Sequence, residues 1–384
     1  MEIVVAGYPL LSPRQWRLFE EFEARGVETH IIVPRNWPGI PESDHPPRDA
    51  PFEVHALNLR FEDRRGAYYL RGIRDTLTDI NPDAALTHAE PWTLFAVQME
   101  MACTVVDVPH AIFSWENLDH VPTSKFQRAL ERVLNNRVEG MIAGSDRARD
   151  RLRTRGFRGP ITVAPQSGVD TTVFEPTDSN SELRTEFGIP SDSTLVTYAG
   201  RFSRQKGIDS LLDAIPTVVE NCHDVAFLLI GDGEMAAEIR ERLGGDSTIS
   251  EHVTLVPEFQ PYKRMPKILQ SSDIVAYPSV TVDNWAEQFG YVVAEAMACE
   301  VPVVTTECGS LPYVVGDGGL VCPEGDTASI ASKIISLVSD EGRRTELGKV
   351  GRNRVEEKFS LPAVAGRQLD LLKQISKDNS VATY

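Results

Sequence analysis

The sequence predicts an α/β protein built from two doubly wound, Rossmann-like domains that face each other across a cleft. Its 384 residues exceed the roughly 100–200 residues of one ordinary domain and suit two. Short, β-rich apolar runs recur in both halves, and a longer segment with helical periodicity follows each of them. That alternation is typical of parallel βαβ units, which build doubly wound sheets.

Apolar runs mark the strands that we expect in each half. In the first half they cover residues 3–6, 30–33, 84–86, 111–113 and 141–143, and in the second half residues 193–199, 225–230, 253–256, 274–277 and 301–305. Residues 13–25 fit a first crossover helix that Gly26 ends, because glycine readily adopts the left-handed conformation found after helices. Residues 326–377 fit helices broken near residues 360–362.

The polar, turn-rich stretch 175–180 separates the two sets of strands. We expect a first domain over residues 1–170, a second over 171–358, and a C-terminal helix and tail over 359–384 that packs back on the first domain. The chain starts with an apolar strand rather than the basic segment and apolar core of a signal peptide, so we expect a cytoplasmic protein.

Composition excludes several classes of protein. A hydrophobic fraction of 41% without a long apolar run is that of a globular enzyme, and five scattered cysteines suggest neither disulfides nor a zinc knuckle. The formal net charge is −17, so we expect no nucleic-acid partner, because phosphate backbones bind basic surfaces.

Two stretches are basic, although the chain as a whole is acidic. Residues 60–74 hold five Lys or Arg against two Asp or Glu, and residues 124–159 hold ten against four. They are either solvated helix faces or a basic surface that contacts anionic lipid at the inner membrane face or a phosphate-bearing acceptor.

The loop from Gly200 to Gly207 follows a predicted strand and opens a helix, where doubly wound domains bind anions. Arg201 offers a planar fork for a diphosphate and Lys206 a mobile charge. The alternative is a solvated basic loop. Further on, Glu287 and Glu295 stand eight residues apart and suit the hydroxyls of a sugar nucleotide, because glutamate is rarely buried without a partner.

Several motifs are missing from the sequence. No two aspartates lie two residues apart, so the D-x-D motif that holds a metal and a diphosphate is absent and we expect no bound metal or cofactor. The first βα turn, at residues 6–9, is not a G-x-G-x-x-G, which disfavours a dinucleotide-dependent dehydrogenase. No H-E-x-x-H or G-x-S-x-G occurs either, so metal-dependent and serine hydrolysis lack support.

Together these motifs resemble the retaining glycosyltransferases of family 4, which have the GT-B fold. The resemblance covers residues 193–326 and rests on four motifs in order: Gly200-Arg201 with Lys206-Gly207, Gly231-Asp232-Gly233, Glu287 with Glu295, and the following run 296–304. Residues 1–160 match only in architecture. Glu300 stands where the family usually has glycine.

The resemblance implies transfer of a sugar from a UDP- or GDP-sugar to a glycan, lipid-linked or small-molecule acceptor, with retention and without metal, in polysaccharide or glycolipid biosynthesis. Arg201, Lys206 and Glu287 would be the catalytic residues, with the two cations on the leaving diphosphate. Glu287 would hold the transferred sugar and Glu295 the ribose. The implied donor-binding residues are Gly200, Arg201, Lys206, Glu287, Phe289, Gly290, Glu295, Gly309, Ser310 and Leu311.

We expect the first domain to bind the acceptor. The candidate residues, chosen by position, are Tyr8, Arg14, Trp115 and Glu116. Many family members carry a histidine where this chain has residues 113–117, and we expect no catalytic histidine here and a structural role for His110. Two other functions stay open. One is a GT-B nucleotide-sugar epimerase or hydrolase, which would need an acid and base on the sugar face. The other is a non-catalytic sugar-nucleotide-binding subunit.

Overall fold

The computed structural model describes residues 1–37, 52–60, 68–121, 124–177, 181–245 and 247–376. The chain forms two compact units. The N-terminal unit comprises Met1–Gly168 and Leu361–Tyr384, and the C-terminal unit comprises Val169–Ser360. Residues 61–67, which include Arg64 and Arg65 of the first basic stretch, lie outside the described residues, as does the tail after residue 376.

The N-terminal unit is a parallel sheet between helices. Its elements are β1 (Glu2–Ala6), α1 (Pro13–Glu23), β2 (Glu28–Pro34), β3 (Glu53–Leu57), β4 (Leu59–Arg60), β5 (Tyr69–Leu70), α2 (Ile73–Ile80), β6 (Ala84–His88), α3 (Leu94–Val106), β7 (His110–Ser114), α4 (Lys125–Leu134), β8 (Gly140–Ala143), α5 (Asp146–Thr154), β9 (Ile161–Val163) and α15 (Leu361–Ile375). The strand order is β3-β2-β1-β6-β7-β8-β9, with β4 and β5 forming a separate ribbon.

Alternate residues of β1 face two separate cores, which is why its apolar run is continuous. Ile3 and Val5 are buried in a cluster with α1 and α15, while Val4 and Ala6 are buried in a cluster with α2 and α3. Helix α15, from the end of the chain, packs on α1, β6, β8 and β9. Both faces of the sheet are therefore covered, as parallel sheets require.

The C-terminal unit repeats this architecture. Its elements are α6 (Ser181–Glu186), β10 (Thr194–Ala199), α7 (Ile208–Asn221), β11 (Val225–Ile230), α8 (Ala236–Gly245), α9 (Ser247–Ser250), β12 (Val253–Val256), α10 (Met265–Gln270), β13 (Ile274–Tyr277), α11 (Tyr291–Ala298), β14 (Val303–Thr306), α12 (Leu311–Val315), β15 (Gly319–Cys322), α13 (Thr327–Val338) and α14 (Glu341–Lys358). The strand order is β12-β11-β10-β13-β14-β15.

Both sheets are wound outward from a central pair of strands. The order reverses between β1 and β6 in one unit and between β10 and β13 in the other. The predicted α/β class with two doubly wound sheets is confirmed. Ligands of such sheets bind outside the carboxyl ends of the strands at this switch point. Among the described residues, no helix is both long enough and apolar enough to span a bilayer.

Glu300, two residues after the end of α11, carries backbone strain. Glu300 has φ of 60°, a left-handed conformation that costs a non-glycine residue roughly 1–2 kcal/mol. A glycine there would avoid that cost, but its more flexible unfolded chain would lower the free energy of unfolding by about 0.4–1 kcal/mol.

We expect Glu300→Gly to raise the free energy of unfolding by about 0.5 kcal/mol, measured by urea denaturation. The matched variant Glu307→Gly, at an exposed residue without positive φ, should lower it. Equal losses in both would contradict this account.

Candidate functional site

The predicted donor loops lie at the carboxyl end of the C-terminal sheet, beside its switch point. Gly200 follows β10, and Ser279 comes two residues after β13. The backbones touch: a Cβ on Gly231 would lie 1.8 Å from the carbonyl oxygen of Gly200, and one on Gly207 would lie 1.8 Å from that of Pro278. Only glycine allows this approach, and so the loops form a compact rim around the end of the sheet.

An ion pair lies at the centre of this rim. The Nζ of Lys206 is 2.6 Å from Oε2 of Glu287, and the two side chains are only 18% and 9% exposed. Ser279 donates to the same carboxylate oxygen at 3.3 Å. The ammonium group also lies 4.6 Å from the ring of Trp285 and 5.3 Å from that of Tyr277, within the range of cation–π attraction. The sequence marked both charges but did not indicate that they pair.

The backbone of Glu287 is held by the glycine-rich loop after β14. Ser310 donates its N–H to the carbonyl of Glu287 at 2.8 Å, and the Glu287 N–H points to Sγ of Cys308 at 3.4 Å. Gly309 has φ of 56°, and a Cβ there would lie 2.0 Å from the Glu287 carbonyl oxygen. Burial raises the pKa of Cys308 to about 11, so its thiol stays protonated at neutral pH. Within the described chain, the buried Ser310 hydroxyl has no hydrogen-bond partner.

The second glutamate is fixed by a residue that the sequence did not single out. Glu295 lies in α11, is 3% exposed, and accepts a hydrogen bond from the Tyr262 hydroxyl at 3.0 Å. Gly290 opens α11 with φ of 79°, and a Cβ there would lie 2.7 Å from Cδ2 of Leu311. Because α11 begins only at Tyr291, helical periodicity does not set the separation of the two glutamates.

Two further predicted donor residues have different surroundings. The side chain of Arg201 is exposed, while its carbonyl accepts a hydrogen bond from the buried Tyr198 hydroxyl at 2.7 Å. The loop is therefore anchored and the guanidinium group is accessible. Phe289 is buried, and its ring packs edge-on to that of Phe359 at 5.2 Å. It supports the loop through packing.

Two family profiles match the chain in succession. The family described as "Glycosyl transferase 4-like domain" matches residues 11–166, and "Glycosyl transferases group 1" matches residues 179–354. The chain is a family 4-like glycosyltransferase. The α-maltose-1-phosphate synthase of Mycolicibacterium smegmatis is 28% identical to this glycosyltransferase over 364 residues, which cover 84% of it and 91% of the synthase.

Further comparisons agree with that assignment. The phosphatidyl-myo-inositol mannosyltransferase of Mycobacterium leprae is 28% identical over 273 residues, covering 70% of the glycosyltransferase and 68% of the relative. A crystal structure of Anabaena HepE in complex with UDP and glucose aligns with a TM-score of 0.71 at 18% identity, covering 97% and 100% of the two chains. At that identity the likeness concerns the fold, which is GT-B.

In the N-terminal unit of the glycosyltransferase, the candidate acceptor residues follow strand ends. Tyr8 comes two residues after β1 and stacks on Trp37, with ring centroids 4.4 Å apart. The indole of Trp115, directly after β7, lies on the backbone of Gly144, where a Cβ would be 2.0 Å from the ring. Glu116 accepts the N–H of Leu118 at 2.9 Å.

Arg14 and His110 occupy other places in this unit. Arg14 lies in α1, and its carbonyl accepts a hydrogen bond from Ser167 at 3.3 Å. His110 is buried between Glu100, at 2.9 Å from its Nδ1, and the Thr87 hydroxyl, at 2.7 Å from its Nε2. A histidine with both ring nitrogens occupied by buried partners is part of the interior of the protein, which agrees with the expected structural role.

Glu90 is a candidate that the sequence did not suggest. It lies two residues after β6 at the switch point and accepts hydrogen bonds from the Ser114 hydroxyl at 2.5 Å and the Trp115 N–H at 2.8 Å. Part of the residue reaches the surface, but its carboxyl group is packed round by protein, and this burial raises its pKa to about 7. Nearby, burial lowers the pKa of His88 to about 3, so that histidine stays neutral. The feature of the sequence that could have indicated Glu90 is its position just after a central strand.

The raised pKa of Glu90 makes stability depend on pH. Between its ordinary pKa of 4.5 and about 7, the folded chain keeps a proton that the unfolded chain releases. The free energy of unfolding should therefore fall as pH rises through this window and level off above it. The difference between the wild type and Glu90→Gln should shift by about 3 kcal/mol at most between pH 4.5 and 7.5, measured by urea denaturation. A constant difference would show that Glu90 does not titrate there.

Proposed function

We propose that the glycosyltransferase moves a sugar from a nucleoside-diphosphate sugar bound by the C-terminal unit to a hydroxyl of an acceptor bound by the N-terminal unit. The observation that carries this proposal is the partly buried pair of Lys206 and Glu287 at the carboxyl end of a doubly wound sheet. The structure of HepE with UDP and glucose, which has a similar fold, supports a nucleotide sugar as the donor. UDP- and GDP-sugars are both candidates.

Two cations stabilise the leaving diphosphate in this mechanism. As the bond to the sugar breaks, negative charge grows on the diphosphate, and Arg201 and Lys206 offer it donors that need no bound metal. Lys206 is restrained by Glu287 and by the ring of Trp285, so little reorganisation is needed when the charge appears. Retention of anomeric configuration is part of the proposal and follows from the family resemblance.

The carboxylates orient the donor. Glu287 accepts hydrogen bonds from hydroxyls of the transferred sugar while its ion pair holds Lys206. Glu295 accepts hydrogen bonds from the ribose hydroxyls. The hydrogen bond from Tyr262 fixes Glu295 in advance, which lowers the entropy lost on binding. The Ser310 hydroxyl, which has no hydrogen-bond partner among the described residues, is a further donor beside the sugar or the phosphates.

We propose a glycan, lipid-linked or small-molecule acceptor that contacts Tyr8, Arg14, Trp115 and Glu116. The two relatives are named for making α-maltose-1-phosphate and for a mannosyl transfer involving phosphatidyl-myo-inositol. Acceptors or products that carry phosphate are therefore the first group to screen. Glu90 accepts a hydrogen bond from the Trp115 N–H and so holds the backbone at the end of β7.

A titration with nucleotides and nucleotide sugars tests the donor proposal. We expect selective binding of one base, measured by calorimetry, and loss of that binding in Arg201→Ala/Lys206→Ala. With a suitable acceptor, turnover of this variant should fall by more than about 10³-fold, because two charge-stabilising donors are removed. Arg204→Ala, an exposed arginine of the same loop, is the matched control and should stay close to the wild type.

Each other outcome has a meaning. If no nucleotide or nucleotide sugar binds the wild type, the donor proposal fails and a non-catalytic role gains support. If a donor incubated without acceptor is isomerised or rapidly hydrolysed, the epimerase or hydrolase alternative is favoured. If Arg204→Ala loses as much activity as the double variant, general loop charge rather than a specific phosphate contact is responsible.

We also propose peripheral contact with the cytoplasmic membrane face through α4. Exposed Lys125, Arg128 and Arg132 lie on this helix beside Phe126 and Val133, whose side chains are 61% and 51% exposed. Cations flanking exposed apolar side chains are typical of helices that lie on anionic lipid.

Sedimentation with vesicles tests this contact. We expect the wild type to bind vesicles rich in anionic lipid and Lys125→Glu/Arg132→Glu to bind at least about fivefold less, since each basic residue near such a surface contributes about 1 kcal/mol. Arg343→Glu/Lys349→Glu, which changes the same charge on exposed residues of α14, is the control. No binding by the wild type, or equal losses in both variants, would refute a specific α4 contact.

A further inference from the structure

A cluster of histidine and glutamate side chains lies at the amino end of the N-terminal sheet, away from the predicted acceptor residues at its carboxyl end. His30 on β2 pairs in register with Glu53 on β3, and His55 lies two residues further along β3. Side chains of a strand alternate between faces, so residues two apart share one face. The pattern Glu-x-His occurs in both strands, as Glu28 to His30 and Glu53 to His55, and it places all four side chains on one face.

Three ligand atoms of this cluster have the spacing of a metal site. Nδ1 of His30 lies 3.1 Å from Nε2 of His55 and 3.5 Å from Oε2 of Glu53, and the last two atoms are 3.8 Å apart. A tetrahedral zinc ion with bonds of about 2.0–2.2 Å has ligand atoms about 3.3–3.6 Å apart. Small side-chain rotations would complete that face of the tetrahedron.

A second carboxylate lies on the far side of His30. Oε1 of Glu2, on β1, is 2.9 Å from Nε2 of His30. The His30 side chain is 7% exposed, and its Nε2 makes no well-directed hydrogen bond to any of the described residues. A small rotation of the His30 ring or of Glu2 would turn this contact into a hydrogen bond from Nε2–H, a carboxylate–histidine arrangement common around zinc. In that tautomer Nδ1, which is hydrogen-bonded to His55 when no metal is bound, is the nitrogen that binds the metal.

We propose that His30, His55 and Glu53 bind one zinc ion, with Glu2 orienting the His30 ring. Two imidazoles and a carboxylate suit zinc better than magnesium or calcium, which prefer oxygen ligands. His55 and Glu53 have side chains that are 27% and 72% exposed, so the ion has an entry path and water can take the fourth position. The ion would tie β2 to β3 and, through Glu2, to β1. It takes no part in the donor chemistry.

Zinc titration of the full chain after treatment with a chelator tests the site. Calorimetry should show one zinc ion per chain and a rise in melting temperature on binding. His55→Gln and Glu53→Gln should abolish the tight, stoichiometric binding, while Glu2→Gln should weaken it by about 10–100-fold, as removal of an orienting carboxylate does. His223→Gln, at an exposed histidine of the C-terminal unit, should change nothing.

Spectroscopy distinguishes metal binding at this site from non-specific metal binding to the protein surface. The Co²⁺-loaded wild type should show the intense visible bands of tetrahedral coordination, and Glu53→Gln, at a mostly exposed residue, should lose them while keeping the wild-type circular dichroism. The proposal is overturned if the wild type binds no stoichiometric zinc, if binding survives in both His55→Gln and Glu53→Gln, or if an equal concentration of Mg²⁺ displaces the ion.

Discussion

Close backbone contacts at the carboxyl end of the C-terminal sheet hold the rest of the candidate site in place. The loops after β10, β13 and β14 approach one another so tightly that a Cβ on Gly207 or Gly309 would lie within 2.0 Å of a neighbouring carbonyl oxygen. These contacts fix the backbone of Glu287, whose carbonyl is bound by Ser310, and thereby fix its carboxylate. The side chains of the site are positioned by loops that cannot move independently.

The pair of Lys206 and Glu287 is hard to explain as a device for stability. Removing two charges from water is costly, and well-packed apolar residues often stabilise a protein as much as a buried ion pair or more. The surroundings nevertheless supply Ser279 and two aromatic rings around these charges. A pair kept mostly buried at the switch point fits the proposed anionic, hydroxyl-bearing donor, since the glutamate holds the lysine ammonium group in position for that ligand.

The fold was largely predictable from the sequence, because doubly wound sheets bury both faces of each strand and so produce continuous apolar runs. Strand β11 matches its predicted bounds for this reason. Strand β3 was not predicted, because Glu53 and His55 interrupt its apolar pattern. In the site, motifs indicated the charges at residues 201, 206, 287 and 295. They could not indicate the pairing of residues 206 and 287 across some eighty positions, nor Tyr262 and Glu90, which belong to no motif and acquire partners only through the fold.

The two units place charge at strand ends in different ways, and the physics of burial explains the difference. In the C-terminal unit the ammonium group of Lys206 and the carboxylate of Glu287 lie 2.6 Å apart, so the two charges compensate each other. In the N-terminal unit burial raises the pKa of Glu90 to about 7, because the hydrogen bonds from Ser114 and Trp115 and the charge of Arg151 offset desolvation only in part, and burial lowers the pKa of His88 to about 3. A diphosphate needs permanent positive charge, whereas an acceptor hydroxyl is neutral. A neutral acceptor needs no permanent charge beside the strand ends, and a partly protonated Glu90 can hold the Ser114 hydroxyl and the Trp115 N–H without a full negative charge buried inside the protein.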